Sequence, residues 1–229
     1  MKSIRSAAGI STLGVGIACL LSGCGGSTNS SSFANLKSYD AVPNGGTATV
    51  SASGASTASL TAFTTSAYVN ASAGLESASF TLTGPPAITS PTYPVSLNSG
   101  VFYTAIVLGR ADVSSSDSRY PKLVIAGDDQ TTPQSADCRI RVVQAAPDAG
   151  TVDVLVNGID TSANTAYSTV TSYSELAAGS ETVEVRTSGT STFIVPSTVF
   201  TTLAGHRYTL YVTEPTTSPT YSFQVVQDS

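Results

Sequence analysis

"AAPDAGTVDV", residues 145–154, echoes "AVPNGGTATV", residues 41–50, at an offset of 104. Ala41, Pro43, Gly46, Thr47 and Val50 fall on Ala145, Pro147, Gly150, Thr151 and Val154. One inserted residue later the offset becomes 105 and holds. Tyr68 falls on Tyr173, Gly74 on Gly179, Glu76 on Glu181, Gly84 on Gly189 and Pro91 on Pro196. "SGVFYTAIV" (99–107) then lies over "AGHRYTLYV" (204–212). Ser/Thr/Ala-rich sequence gives chance matches, but Pro, Gly and Tyr kept in register over so long a span mark a duplicated unit. The chain divides accordingly into a first copy, 33–129, a linker, 130–137, and a second copy, 138–229.

Each copy reads as strands. In "ETVEVRT" (181–187), Val183 and Val185 point one way while Glu184 and Arg186 point the other, the period of two that a half-buried strand requires. In "RYTLYVT" (207–213), Tyr208, Leu210 and Val212 share a face, as Tyr103, Ala105 and Val107 do in "FYTAIVL" (102–108). Further strands are expected at 36–41, 47–53, 88–95 and 120–126, and at 139–145, 151–156, 170–175, 192–200 and 221–227. Turn formers separate them at "PNGG", "TGPP", "PDAG", "VNGID" and "TSGTS". About seven short strands per copy predict an all-β chain of two tandem antiparallel sandwiches, immunoglobulin-like in architecture. The two cysteines around a tryptophan that mark true immunoglobulin domains are missing, and a small barrel is the alternative.

The second copy, "RIRVVQAAPDAGTVDVLVNGID", followed by Tyr173, Ala178-Gly179 and Ala204-Gly205 to Thr209, resembles the bacterial extracytoplasmic family DUF4397. The resemblance covers about 139–214. The first copy departs from it, with Pro43-Asn44 in place of Pro-Asp and neither Val-Asp-Val nor Asn-Gly. It implies a β fold outside the cytoplasm and supplies no catalytic residues.

The amino end agrees with that location. Lys2 and Arg5 precede an apolar stretch, Ala7 to Leu21, that is too short for the ~20 residues of a membrane-spanning helix. Charged start, short apolar middle and small residues at the exit describe a signal peptide over 1–23. Leu21-Ser22-Gly23-Cys24 resembles the lipobox of bacterial lipoproteins, which implies cleavage between Gly23 and Cys24 and diacylglycerol on the Cys24 thiol. Two or three acyl chains hold a protein on a membrane where one does so only marginally. Gly25 rather than an aspartate follows, which in a Gram-negative cell favours the outer membrane. Residues 24–32, Gly/Ser-rich, are expected to be a flexible tether.

Without residues 1–23 the chain keeps eight Lys and Arg against fifteen Asp and Glu, a formal net charge of −7. That balance excludes the basic footprint of a nucleic-acid binder. Cys19 leaves with the signal peptide and Cys24 carries lipid, so Cys138 has no partner for a disulfide and reads as a buried structural thiol.

Chemistry-bearing residues are few. Pro147-Asp148-Ala149-Gly150 reads as a turn, since Pro43-Asn44-Gly45-Gly46 does the same work without a carboxylate. Asn157-Gly158 signals a hairpin. His206, the lone histidine, falls on Val101 of the first copy, so the scaffold does not need an imidazole there. There is no G-x-S-x-G, and one His with one thiol cannot fill a zinc site. "DVSSSDS" (112–118) and "GDDQ" (127–130) concentrate acids, leaving Asp112, Asp117, Asp128 and Asp129 as weak ligand or calcium candidates on loops. The recurring Tyr68, Tyr173, Tyr103 and Tyr208 are expected to pack in the cores. No catalytic residue and no cofactor or metal is assigned. The expected function is a non-enzymatic envelope module, held to the membrane through Cys24, that binds a glycan or envelope protein or acts as a spacer. The alternative is an envelope glycoside hydrolase working through paired carboxylates.

Overall fold

A computed structural model describes residues 32–214 and 220–228. The first copy forms β1 (Phe33–Ala41), β2 (Thr47–Ala52), β3 (Ala55–Ser56), β4 (Leu60–Thr61), β5 (Val69–Ser72), β6 (Gly74–Leu82), β7 (Ile88–Thr89), β8 (Tyr93–Leu97), β9 (Phe102–Leu108) and β10 (Lys122–Gly127). The second forms β11 (Asp137–Gln144), β12 (Val152–Val156), β13 (Ile159–Thr165), β14 (Ser174–Ala177), β15 (Ser180–Thr187), β16 (Phe193–Thr201), β17 (Arg207–Thr213) and β18 (Ser222–Gln227). The chain is all-β. Among the described residues the one helical turn is a 3-10 turn at Pro147–Ala149, and no helix is long and apolar enough to cross a membrane.

Two sandwiches result. In the first, the sheet β10-β9-β1-β5 faces the sheet β3-β2-β6-β7, to which β4 and β8 add. In the second, β14-β11-β17-β18 faces β13-β12-β15-β16. The pairs β1–β9 and β11–β17 are parallel, where the sequence suggested only antiparallel neighbours. Leu36, Val50, Phe80 and Val107 lie in the first core; Ile140, Val154, Val183 and Leu210 lie in the second.

A third apolar cluster joins them. Tyr39, Ala41, Ile106 and Leu108 of the first sandwich meet Val143, Ala145 and Tyr211 of the second. The described residues of both copies are therefore one compact unit, with β1-β9 laid against β11-β17. The rings of Tyr39 and Tyr211 stack at 3.6 Å between centroids, 10° from parallel. Each ring is fully buried, which is favourable for its carbon face, but the Tyr39 hydroxyl has no partner and the loss of water there offsets part of that gain. β17 is accordingly buried on both faces: Tyr208, Leu210 and Val212 face inward as the alternation predicts, while Thr209 and Tyr211 face the sister sandwich.

Local chemistry sets the ends of the strands. Asn157 and Gly158 both take positive φ (53° and 76°) and close the β12–β13 hairpin, as Ser53 and Gly54 (51° and 80°) close β2–β3. The strand expected at 170–175 begins only at Ser174. Ahead of it, Thr171 Oγ1 accepts the Val142 amide at 2.9 Å, so a side chain stands in for the ladder carbonyl. Ser66 does the same for the Ser38 amide in the first copy. The strand expected at 88–95 splits around Pro91, which has no N–H to donate.

Candidate functional site

The chain ends of the strands give the unit two poles. β1, β9, β11 and β17 all start at the lower end, where β10 and β18 finish. At this end the two copies exchange charges. Lys37, on β1, donates to Asp228 of the second copy at 2.8 Å. Arg141, its counterpart on β11, donates to Asp128 of the first copy at 2.6 Å. Each carboxylate is also held by its own copy. Asp128 accepts from Tyr68 at 2.7 Å and from Thr104 at 2.7 Å. Asp228 accepts from Tyr173 at 2.9 Å and from Thr209 at 2.6 Å. Arg141 further donates to Thr209 Oγ1 at 2.8 Å and to the Gly127 carbonyl at 3.1 Å. Lys37 lies over the Tyr68 ring at 5.1 Å, and Arg141 over the Tyr173 ring at 4.8 Å.

All four charged side chains are 4% exposed or less. Buried ions survive only when paired and fully hydrogen-bonded, and removing one partner costs about 3–5 kcal/mol. Burial and the Asp128 carboxylate push the Tyr68 hydroxyl well up, and burial with Asp228 does the same to Tyr173, so both remain donors. Asp128, one of the four loop acids, is therefore a joint between the halves. Tyr68 and Tyr173 belong to this polar seam and not to the hydrophobic cores. Tyr103 and Tyr208 do pack there, each accepting a backbone amide five residues upstream, from Asn98 at 3.0 Å and Leu203 at 2.9 Å.

Beside the seam runs a cleft of about 520 Å³, lined by Val124, Ile125 and Ala126 of β10 and by Asp129, Arg139 and Tyr173. Asp129 binds Arg139 at 2.7 Å, and Arg139 lies over Tyr173 at 5.6 Å. Hydrogen bonds from the Thr131 hydroxyl and amide, with Arg139, pull the Asp129 carboxyl down to about 2. The cleft thus offers an ionised carboxylate, a guanidinium and part of an aromatic ring on a sheet edge. At the lower end of that edge, Arg141 donates to the Gly127 carbonyl at 3.1 Å.

The upper end holds the other acids. Arg110 binds Asp112 (2.6 Å), Asp148 (3.0 Å) and Glu214 (2.8 Å); Arg119 binds Asp117 (2.7 Å) and Asp148 (2.8 Å). Asp112 and Asp117 are each held down at about 2, first by the hydrogen bond from their own arginine. Burial works against the Asp148 charge, but Arg119 and its neighbours keep the carboxyl low, while burial raises Glu214. Pro147–Ala149 is the turn that the sequence predicts, closed by Gly150 at φ 67°. Its carboxylate has a task that the comparison with Asn44 hid: it ties the second copy to both arginines of the first. Asn44 instead accepts the Ala111 amide at 3.2 Å.

The four acids thus go to three places, and among the described residues no three His, Cys, Asp or Glu side chains gather where a metal ion could sit. His206 Nδ1 lies 3.0 Å from the Gln227 amide nitrogen. Cys138 is fully buried in the second core, its thiol pushed up by burial. Gly23 and Cys24 lie outside the described residues, as do the signal peptide and nearly all of the tether.

A family model described as a domain of unknown function, DUF4397, matches the chain twice, over residues 34–154 and 138–229. No curated protein matches.

Proposed function

The chain belongs to the DUF4397 family, and from that premise we propose that it is a lipid-anchored envelope module that binds or spaces and does not catalyse. The observation that carries this reading is the crossed exchange of Lys37–Asp228 and Arg141–Asp128. The charges buried along the seam join the two sandwiches into one unit, which suits a display platform tethered to a membrane. Asp112, Asp117, Asp129 and Asp148 are likewise each bound to an arginine. Acyl chains on Cys24 would fix the lower end to the envelope, on the outer membrane in a Gram-negative cell.

The cleft at Asp129, Arg139 and Tyr173 is the place for a glycan or an envelope-protein segment, because ring, carboxylate and guanidinium converge there. A glycan array probed with the protein tests this: retention on defined glycans that Asp129→Ala abolishes, with unfolding unchanged, is the expected result. Turnover of any array member would overturn the non-enzymatic reading. Fatty-acid labelling of wild type and Cys24→Ser tests the anchor, with label expected only in the wild type.

One pair favours the hydrolase alternative. Asp148 and Glu214 touch, the Asp148 amide donating to Glu214 at 3.1 Å, and their pKa values move in opposite directions. Against it, both carboxylates already share Arg110. Polysaccharide hydrolysis lost in Asp148→Asn would establish it.

A further inference from the structure

Seven large apolar side chains are well exposed among the described residues, and their placement is lopsided. Phe33 (43% exposed) opens β1, and Val101 precedes β9, its carbonyl accepting the Asn35 amide. Leu75, 93% exposed, stands at the start of β6, whose Gly74 pairs with Leu97. Ile159, 72% exposed, follows the Asn157-Gly158 hairpin, and Leu203, 55% exposed, sits in the turn before β17. All five mark the lower end. Val199 lies two residues from the lower limit of β16, and only Phe193, beside Arg186, belongs to the upper end.

The same end receives the amino-terminal segment. Eight residues separate Cys24 from Phe33. At full extension such a segment spans about 30 Å, so an acyl group on Cys24 keeps the lower end within that distance of the lipid. Exposed large apolar side chains concentrated at one end of a fold point to a contact with protein or membrane, and here the bilayer is the surface within reach. The charged groups nearby choose the lipid. Glu76, Asp137, Asp160 and Glu175 lie around this end, Asp129 and Arg139 cancel, and Arg207, with His206 beside it, is the further cation there, so acids remain in excess. An acidic rim is repelled by anionic headgroups and tolerated by zwitterionic ones.

We propose that the lower end, through Leu75, Ile159, Leu203, Phe33 and Val101, docks on a zwitterionic bilayer surface and sets the two sandwiches upright on the membrane. The proposal rests on the reading of Cys24 as acylated. It makes the contact a second membrane signal beside the acyl chains, shallow and reversible.

The chain has no tryptophan, so single reporters are clean. Full-length Leu75→Trp and Phe193→Trp, produced with their lipid, are reconstituted into phosphatidylcholine vesicles with and without brominated acyl chains. The expected result is co-flotation of both, with blue-shifted, bromine-quenched emission from Leu75→Trp and unquenched emission from Phe193→Trp. Flotation with neither quenched, or with both quenched alike, overturns the docking surface and leaves the anchor standing. Failure of both proteins to float overturns the anchor and the docking surface together.

Discussion

Asp40 is a buried acid in a position built for an amide, and Asp40→Asn should stabilise the protein increasingly as pH rises. The side chain is fully buried. Oδ1 accepts the Val42 amide at 2.9 Å, and Oδ2 has no partner. The counterpart in the second copy, Gln144, uses both ends of its amide: Oε1 accepts the Ala146 amide at 3.0 Å and Nε2 donates to the Gly150 carbonyl at 2.9 Å. Burial, opposed only by the Val42 bond, raises the Asp40 carboxyl from 3.8 to about 7. The folded protein therefore holds a proton that the unfolded chain releases between those values. The stability that this protonation confers is complete below pH 4 and is lost as pH climbs through about 7. A displacement of that size amounts to about 4 kcal/mol at most. Asn keeps the acceptor and never ionises. Urea unfolding at pH 5, 6, 7 and 8 measures the outcome. The wild-type midpoint should fall across the series relative to Asp40→Asn, with the gap widening towards pH 8. Parallel curves, or a variant weaker than wild type at pH 8, would refute the reasoning.

Three further outcomes follow from contacts described above. Lys37→Met leaves Asp228 buried without its cation and should cost about 3 kcal/mol in urea unfolding, whereas Lys37→Met with Asp228→Asn should cost less than the sum of the two single changes. Tyr211→Ala removes one ring of the stacked pair and should destabilise by about 3–5 kcal/mol, with proteolysis of the opened seam as a second readout. Arg110→Ala should release the Asp112 carboxyl from about 2 towards its ordinary value, read by carbon NMR titration. In the wild type the stability contributed by this ionised acid is present above pH 4 and lost as pH falls towards 2.

The repeat made most of the fold legible, because Pro, Gly and Tyr report backbone geometry that survives drift in the surrounding residues. Asn157-Gly158 announced its hairpin, and Val183 and Val185 announced their inward face. The strand at 159–165 was not foreseen: "IDTSANT" has no period of two, and its pairing with β12 shifts register twice. Strand β6 was not foreseen either, although Ala78, Phe80 and Leu82 alternate inward with Ser79 and Thr81 between them; only the last two of these inward positions are large, and its first half, "GLES", has no such alternation. The seam stayed hidden for a different reason. Alternation distinguishes the two faces of a strand and cannot say whether the second face meets water or another sheet, so it assigns no burial to Lys37, Tyr39, Arg141 and Tyr211. A signal was present all the same. Lys37 and Arg141 coincide at the offset of 104, and each copy closes on an acid, Asp128 or Asp228.

The crossed pairs also bear on descent. A single unit would carry its own cation and its own acid on one face, and two identical units could close both bonds by lending each cation to the other's acid. That is the self-complementary contact of an isologous homodimer. Here one polypeptide holds both copies, so their association does not depend on concentration. Within one chain each side can differ from its counterpart, as the single ammonium contact of Lys37 and the several guanidinium contacts of Arg141 do.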